Sequence, residues 1–160
     1  MMLTRRHVVS ATVLTLVLGT STPAAFGSPG TGLTVTTLVT ANLNHTIEAK
    51  GDRIKLRTNV PATVRVQNIV FAPHGRTGWH HHPGVVIVAV QSGAVTVWDS
   101  ECNPTTYGPG APAGAVFTES GDESLQVTSG AEPASVYATY IVPQVEPTTF
   151  RIEAEAPSCD

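Results

Sequence analysis

The sequence predicts an all-β protein, and two observations support this. From residue 33 onward, short runs rich in β-branched and aromatic residues alternate with Gly, Pro, Asn and Asp, which is the spacing of strands and tight turns. Apolar residues nowhere recur with a helical period over three turns. Nine short strands without a helix are typical of a sandwich or a barrel around one core.

The residue pattern of each predicted strand indicates which of its faces is buried. Apolar and polar residues alternate over 63–67 and 95–99, which predicts one buried face, whereas 85–90 is apolar on both faces and predicts a central strand. Gly51-Asp52 and Ser92-Gly93 stand where hairpin turns belong. The predicted strands are 33–39, 46–50, 53–57, 62–71, 84–91, 94–99, 115–119, 124–128 and 134–142.

The first 27 residues have the pattern of a bacterial export signal. A basic segment with Arg5-Arg6 precedes a short apolar run over 8–18, and Ala25-Phe26-Gly27 ends it with small residues. A membrane anchor would need about 20 apolar residues. We therefore predict cleavage after Gly27 and a secreted or extracytoplasmic protein, with the twin-arginine and the general secretory routes both open.

The remaining chain is long enough for one domain. Residues 28–32 are predicted to be a flexible leader, and residues 33–160 a single domain with one core. Without residues 1–27 the chain carries 7 basic and 12 acidic side chains, a net charge of −5, and no Lys/Arg cluster. This charge argues against nucleic acid or anionic lipid as a partner, and we expect no stable membrane insertion after cleavage.

The two cysteines, Cys102 and Cys159, both lie in the part predicted to be exported. In an oxidising compartment an isolated pair predicts a disulfide. Such a bridge would tie the C-terminal tail to the loop after Asp99 and contribute about 3 to 4 kcal/mol. Two free thiols or a thiol metal ligand are the alternatives.

The run Gly78-Trp79-His80-His81-His82-Pro83-Gly84 is the segment with the most specific chemistry. On a strand, side chains alternate between faces, so His80 and His82 point the same way and could hold one metal ion, while His81 points away. The alternative is a pair of neutral, hydrogen-bonded imidazoles on the wall of a pocket without metal.

Residues 75–93 resemble the first conserved motif of the cupins. His80-His81-His82 supplies its His-x-His, Gly93 its last glycine, and Gly75 its first glycine, one residue closer than the pattern asks. The resemblance covers about residues 55–160, with a motif core over 60–143, and is closest to small exported bacterial cupin-domain proteins. It implies a cupin-type double-stranded β-helix, a small jelly-roll barrel with one pocket.

The same resemblance implies an incomplete metal-binding motif. The motif's glutamate falls on Val86, and its third histidine falls on Leu125 or Gln126. Glu119 and Gln126 are therefore possible third ligands beside His80 and His82. Fe, Mn, Ni, Cu or Zn would suit such donors.

Four aromatic residues, Trp79, Trp98, Phe117 and Tyr140, are predicted to line the pocket, although the two tryptophans favour packing over ligand binding. The first functional hypothesis is an exported protein that binds a small molecule there, with a weak divalent metal site at His80 and His82. The alternatives are a metal-dependent cupin enzyme of the dioxygenase or isomerase type, and a non-catalytic structural or interaction module that could form a homodimer. No catalytic residue is predicted, and whether the chain is an enzyme stays open.

Overall fold

The structure, a computed structural model, describes residues 30–121, 123–145 and 148–158, so the predicted export signal lies outside the described residues. Within these ranges no helix has the length and apolar character that a membrane crossing needs. The strands are β1 (Thr31–Leu43), β2 (Glu48–Lys50), β3 (Lys55–Arg57), β4 (Ala62–Arg76), β5 (His80–His81), β6 (Val85–Ser92), β7 (Val95–Trp98), β8 (Pro104–Tyr107), β9 (Val116–Glu119), β10 (Gln126–Ser129), β11 (Ala134–Pro143) and β12 (Ile152–Glu153).

Seven strands form a nearly closed antiparallel barrel in the order β8-β7-β10-β4-β11-β6-β9. β1 pairs along β4, and the pairs β5–β12 and β2–β3 form two small additional sheets. The predicted all-β class and the predicted cupin-type barrel are both confirmed.

The core lies inside the barrel and follows strand alternation. On β6, Val86, Val88 and Val90 are buried, whereas Val85 and Ile87 are 46% and 41% exposed. β6 is central, as predicted, because β11 and β9 pair with its two edges. Only one of its apolar faces is buried, however, because the other faces out of the barrel.

All nine predicted strands occur, but the sequence pattern missed three others. β5 and β12 have two residues each and pair only with each other along the barrel. β8 begins at Pro104 on the edge of the sheet, a position where the missing N–H costs no ladder bond. β1 also begins earlier than predicted, at Thr31, so Thr31 and Gly32 belong to a strand and not to the leader.

The hairpin between β6 and β7 turns at Gly93, as the motif predicts. Gly93 has a φ of +70°, and a Cβ there would collide with the carbonyl oxygen of Pro133. Both facts require glycine at this position.

The structure does not test the predicted disulfide, because Cys159 lies outside the described residues. Cys102 lies in the turn after β7, where its φ is +66°. The Cys102–Cys159 bridge therefore stays a prediction.

Candidate metal centre

The histidine segment is held in place along both of its edges. His80 exchanges two backbone hydrogen bonds of 2.9 Å with Leu125, and β12 pairs with its other edge through Glu153. His80 and His82 are 3% and 2% exposed. His81 is half-buried on the opposite side, where its Nδ1 donates to the carbonyl oxygen of Gly121 at 3.0 Å. The predicted division of the three rings between two faces is confirmed.

Backbone carbonyls fix the tautomer of both buried rings. Nδ1 of His80 lies 2.9 Å from the carbonyl oxygen of Gly78, and Nδ1 of His82 lies 2.5 Å from that of Phe150. A carbonyl oxygen can only accept, so each Nδ1 carries the proton. In a neutral imidazole, Nε2 then presents a lone pair.

Glu119 brings a carboxylate to these two lone pairs. Its Oε2 lies 2.8 Å from Nε2 of His82 and 4.0 Å from Nε2 of His80, and the three ligand atoms lie within 4.8 Å of one another. All three side chains are buried. This is the one group of three such side chains that the described residues assemble at ligand spacing.

The contact between His82 and Glu119 is not a hydrogen bond. Within the described part of the chain, Nε2 of His82 is buried without a hydrogen-bond partner despite the short distance to the carboxylate. The distance between Nε2 of His82 and Oε2 of Glu119 would suit an ion pair with a doubly protonated ring. A proton on Nε2, however, would not point at that oxygen closely enough to form a hydrogen bond. Two lone pairs and a carboxylate therefore converge on one point, an arrangement that a cation between them stabilises.

Burial keeps the neighbouring titratable groups in their neutral forms. It lowers the pKa of His80 to about 4, against the opposing charge of Glu119. It raises the pKa of Tyr140 to about 12, and the charge of Glu119 adds to that effect. At neutral pH His80 is thus the neutral imidazole that metal binding requires, and Tyr140, whose ring centroid lies 5.5 Å from that of His82, keeps its proton.

Glu119 occupies a place equivalent to that of the glutamate the sequence lacks. It pairs directly with Val86 across β6 and β9, and directly opposite residues of an antiparallel pair share a face. The carboxylate is thus displaced by one strand while still pointing into the barrel. Two imidazoles and one carboxylate fit a divalent first-row metal. The backbone carbonyls that accept from Nδ1 of the two imidazoles orient the rings, as hydrogen-bond partners of metal-binding histidines do.

The other candidate third ligand, Gln126, is not brought to this cluster. Leu125 faces inward beside His80 and belongs to the buried core, so Gln126, the next residue, falls on the other face and pairs with Trp98. An apolar side chain therefore stands where the motif has its third histidine.

A cavity of about 440 Å³ adjoins the cluster. Phe117 and Tyr140 line it, as predicted, but Trp79 and Trp98 do not. The indole of Trp98 instead donates to Oγ1 of Thr128 at 3.1 Å. Trp79 is also buried, but it directly precedes His80. Neighbouring residues of an extended chain point to opposite sides, so the side chain that faces the cavity is that of His80.

The C-terminal segment contributes residues that sequence reasoning missed. Phe150 supplies the carbonyl oxygen that accepts from His82, and Arg151 donates from Nη2 to the carbonyl oxygen of Thr77 at 2.8 Å. Arg151 also pairs with Glu153 at 2.6 Å. The only sequence signal for this segment is a short alternation of apolar and charged residues over 150–153.

Comparisons with known proteins identify similar folds and no close relative. No family model matches the chain, and no curated protein matches it. Among solved structures, it is similar to a cupin-like protein from Thermotoga maritima with a TM-score of 0.53 at 20% identity, over 85% of this chain and 90% of that one. A cupin-2 domain protein from Rhodospirillum rubrum follows with a TM-score of 0.52 at 12% identity, over 79% and 68%. A polyketide cyclase from Streptomyces resistomycificus gives 0.51 at 14%, over 82% and 79%.

The protein is a nearly closed antiparallel barrel, with a buried His-His-Glu cluster beside an internal cavity. The chain has the cupin fold, and its structural neighbours are cupin-superfamily proteins at low identity. The predicted resemblance is thereby confirmed at the level of the fold.

Proposed function

We propose that the protein binds one divalent first-row metal ion through His80, His82 and Glu119, and that the adjoining cavity receives a small molecule. One observation carries the metal proposal: two imidazole lone pairs and a carboxylate oxygen lie within 4.8 Å of one another in a buried place. Backbone carbonyls hold both rings in the tautomer that exposes Nε2.

A metal-dependent enzyme of the dioxygenase or isomerase type is the second candidate function. Three protein ligands leave open coordination positions, and the cavity borders the same three side chains. When bound, the metal would supply a Lewis acid or a redox centre. The chain's own residues would hold Nε2 and the carboxylate in place, keep the proton on Tyr140 and exclude water from the apolar part of the cavity.

Metal loading of the mature protein tests the proposal. The chelator-treated protein is incubated separately with Fe, Mn, Ni, Cu and Zn, desalted and analysed for metal content. We expect one ion per chain for at least one metal, with a strong loss in Glu119→Gln and His82→Ala. His45→Ala is the matched control, since His45 is exposed and lies outside the cluster. Loading far below stoichiometry with all five ions would refute the metal site.

We also propose that the protein works outside the cytoplasm, on the strength of the signal pattern in residues 1–27. N-terminal sequencing of protein from the native host should begin at Ser28. A double Arg5→Lys, Arg6→Lys variant keeps the basic charge, so only the twin-arginine route should be blocked by it. A mature chain that retains Met1 would contradict the export proposal.

A further inference from the structure

One arginine in the cavity has no charged partner among the residues that the structure describes. Arg65, on β4, is half-buried and lines the cavity. Its Nε donates to Oγ1 of Thr40 at 3.1 Å, and its guanidinium carbon lies 3.5 Å from the ring centre of Phe150. Among the described residues, no carboxylate lies within 4.0 Å of its nitrogens. The described residues also give its two Nη groups no hydrogen-bond acceptor.

The second arginine of the cavity lining differs in this respect. Nε and Nη2 of Arg151 donate to the two carboxylate oxygens of Glu153 at 2.6 and 2.9 Å. This bidentate pair gives the guanidinium of Arg151 a carboxylate partner within the chain. Arg65 is thus the arginine of the lining whose charge remains available to a ligand.

The strand register places Arg65 and Glu119 on the same inner face of the barrel. Arg65 pairs with Tyr140 on β11, Tyr140 with Val86 on β6, and Val86 with Glu119 on β9. Three strand spacings correspond to about 14 Å along the sheet, and the curvature of the barrel turns both side chains toward one cavity. The cavity therefore has a cationic end at Arg65 and a metal-ligand end at Glu119.

The remaining surroundings of Arg65 define what could bind there. The Phe150 ring lies against the guanidinium and leaves its fork of Nη donors free, a geometry that matches the two oxygens of a carboxylate. The rest of the cavity lining is mostly apolar, with Leu33, Ile69, Phe71, Val88 and Val136 among its residues. Of the described lining carboxylates, Glu119 is the one not paired with an arginine, and it lies at the opposite end.

We infer that the cavity binds a monocarboxylate with an apolar body, whose carboxylate contacts Arg65 and whose other end points toward His80, His82 and Glu119. This inference rests on the proposed small-molecule function and does not require the metal to be bound.

Matched pairs of carboxylates and amides test the inference on the wild-type protein. Phenylacetate, 3-phenylpropanoate and octanoate are titrated by calorimetry beside their primary amides, which have the same shape without the charge. We expect each carboxylate to bind about 10- to 100-fold more tightly than its amide. Acetate, which lacks the apolar body, should bind more weakly than phenylacetate, and equal binding of the two would overturn that part of the inference.

Two variants assign the preference to Arg65. Arg65→Met should reduce carboxylate binding to the level of the amide, and Arg65→Lys should retain part of it, because lysine keeps the charge without the fork. Arg57→Met removes the same charge from the β2–β3 hairpin, outside the cavity lining, and should change nothing. Metal content and melting temperature show whether each variant still folds and loads. If Arg65→Met does not fold, a shift of the Arg65 Nε resonance on adding phenylacetate to wild-type protein decides the matter.

The failures of the two proposals are distinguishable. If carboxylates and amides bind equally well and Arg65→Met leaves both unchanged, the cavity binds small molecules but Arg65 is not the anion site. If none of the probes binds, the small-molecule function itself is contradicted together with this inference. Metal loading is measured separately and bears on neither result.

Discussion

The two sides of the candidate metal centre are built in different ways. The carboxylate side is part of the regular barrel, since Glu119 ends β9 and is paired with Val86 in an uninterrupted ladder. The histidine side depends on irregular backbone, since β5 has only two residues and His82 follows it outside any strand. The rings of His80 and His82 donate to the carbonyls of Gly78 and Phe150. One candidate ligand is therefore positioned by strand register. The other two are positioned by carbonyls of two separate segments, the loop before β5 and the C-terminal segment.

This difference shows how a ligand can change its position in the sequence without leaving the cluster. Residues directly opposite in an antiparallel pair have Cβ atoms about 5 Å apart on one face. A carboxylate can thus move from one strand to the next at little geometric cost. The histidine side has no such freedom, because each ring needs its own carbonyl to set the tautomer.

The largest expected effect comes from removing the carboxylate of Glu119, and moving it across the ladder should reverse part of that effect. Glu119→Val should weaken metal binding by about 100-fold or more, beyond the 10- to 100-fold typical of outer partners. The double variant Glu119→Val, Val86→Glu restores a carboxylate on the same face and should recover part of that loss. Metal titration with a competing chelator measures both affinities.

The single variant Val86→Glu is the control for this exchange. It places a second carboxylate beside Glu119 in a fully buried position, so we expect the apo protein to be destabilised by about 3 kcal/mol or more. A double variant that binds metal no better than Glu119→Val would show that the ladder position does not determine the site.

Most of the barrel could be predicted from the sequence, because its strands alternate or carry apolar runs bounded by turn residues. The strands that were missed lack that pattern. β8 begins with Pro104, and β5 and β12 are too short to show a period and exist only because they pair with each other. Such pairing is a tertiary property that no local pattern records.

The site could be predicted only in part, for the same physical reason. The spacing of His80 and His82 follows from strand alternation and was enough to place them together. Glu119 was identified only as one of two third ligands, because choosing it over Gln126 requires the pairing of β9 with β6. The contact of His82 with the carbonyl of Phe150 and the place of Arg65 beside the Phe150 ring both join residues far apart in the chain, so the sequence gives no direct signal for either.

An intermediate effect is expected from removing the outer support of His82. Ending the chain after Val145 deletes Phe150 and β12, which leaves Nδ1 of His82 without its acceptor and frees one edge of β5. Metal affinity should fall about 10- to 100-fold. Ending the chain after Ala154 removes Cys159 but keeps β12, and this control should bind metal like the full chain. Equal affinities for the two truncations would show that the C-terminal segment does not support the histidine side.

The smallest expected effect is at Gly78, the support of His80. Gly78 has a φ of +72°, and its carbonyl oxygen accepts from Nδ1 of His80. Alanine in that conformation costs about 1 to 2 kcal/mol, so Gly78→Ala should lower the melting temperature and weaken metal binding a few-fold by turning the carbonyl. Gly130→Ala is the matched control, because a Cβ there meets no atom within 4 Å and its φ is not positive.

Since the carboxylate side does not depend on the carbonyl of Gly78, the Gly78→Ala protein should keep the distance between Glu119 and His82, which a crystal structure of the variant would measure. A Gly78→Ala protein with full metal affinity would show that the tautomer of His80 is set by the metal and not by the loop.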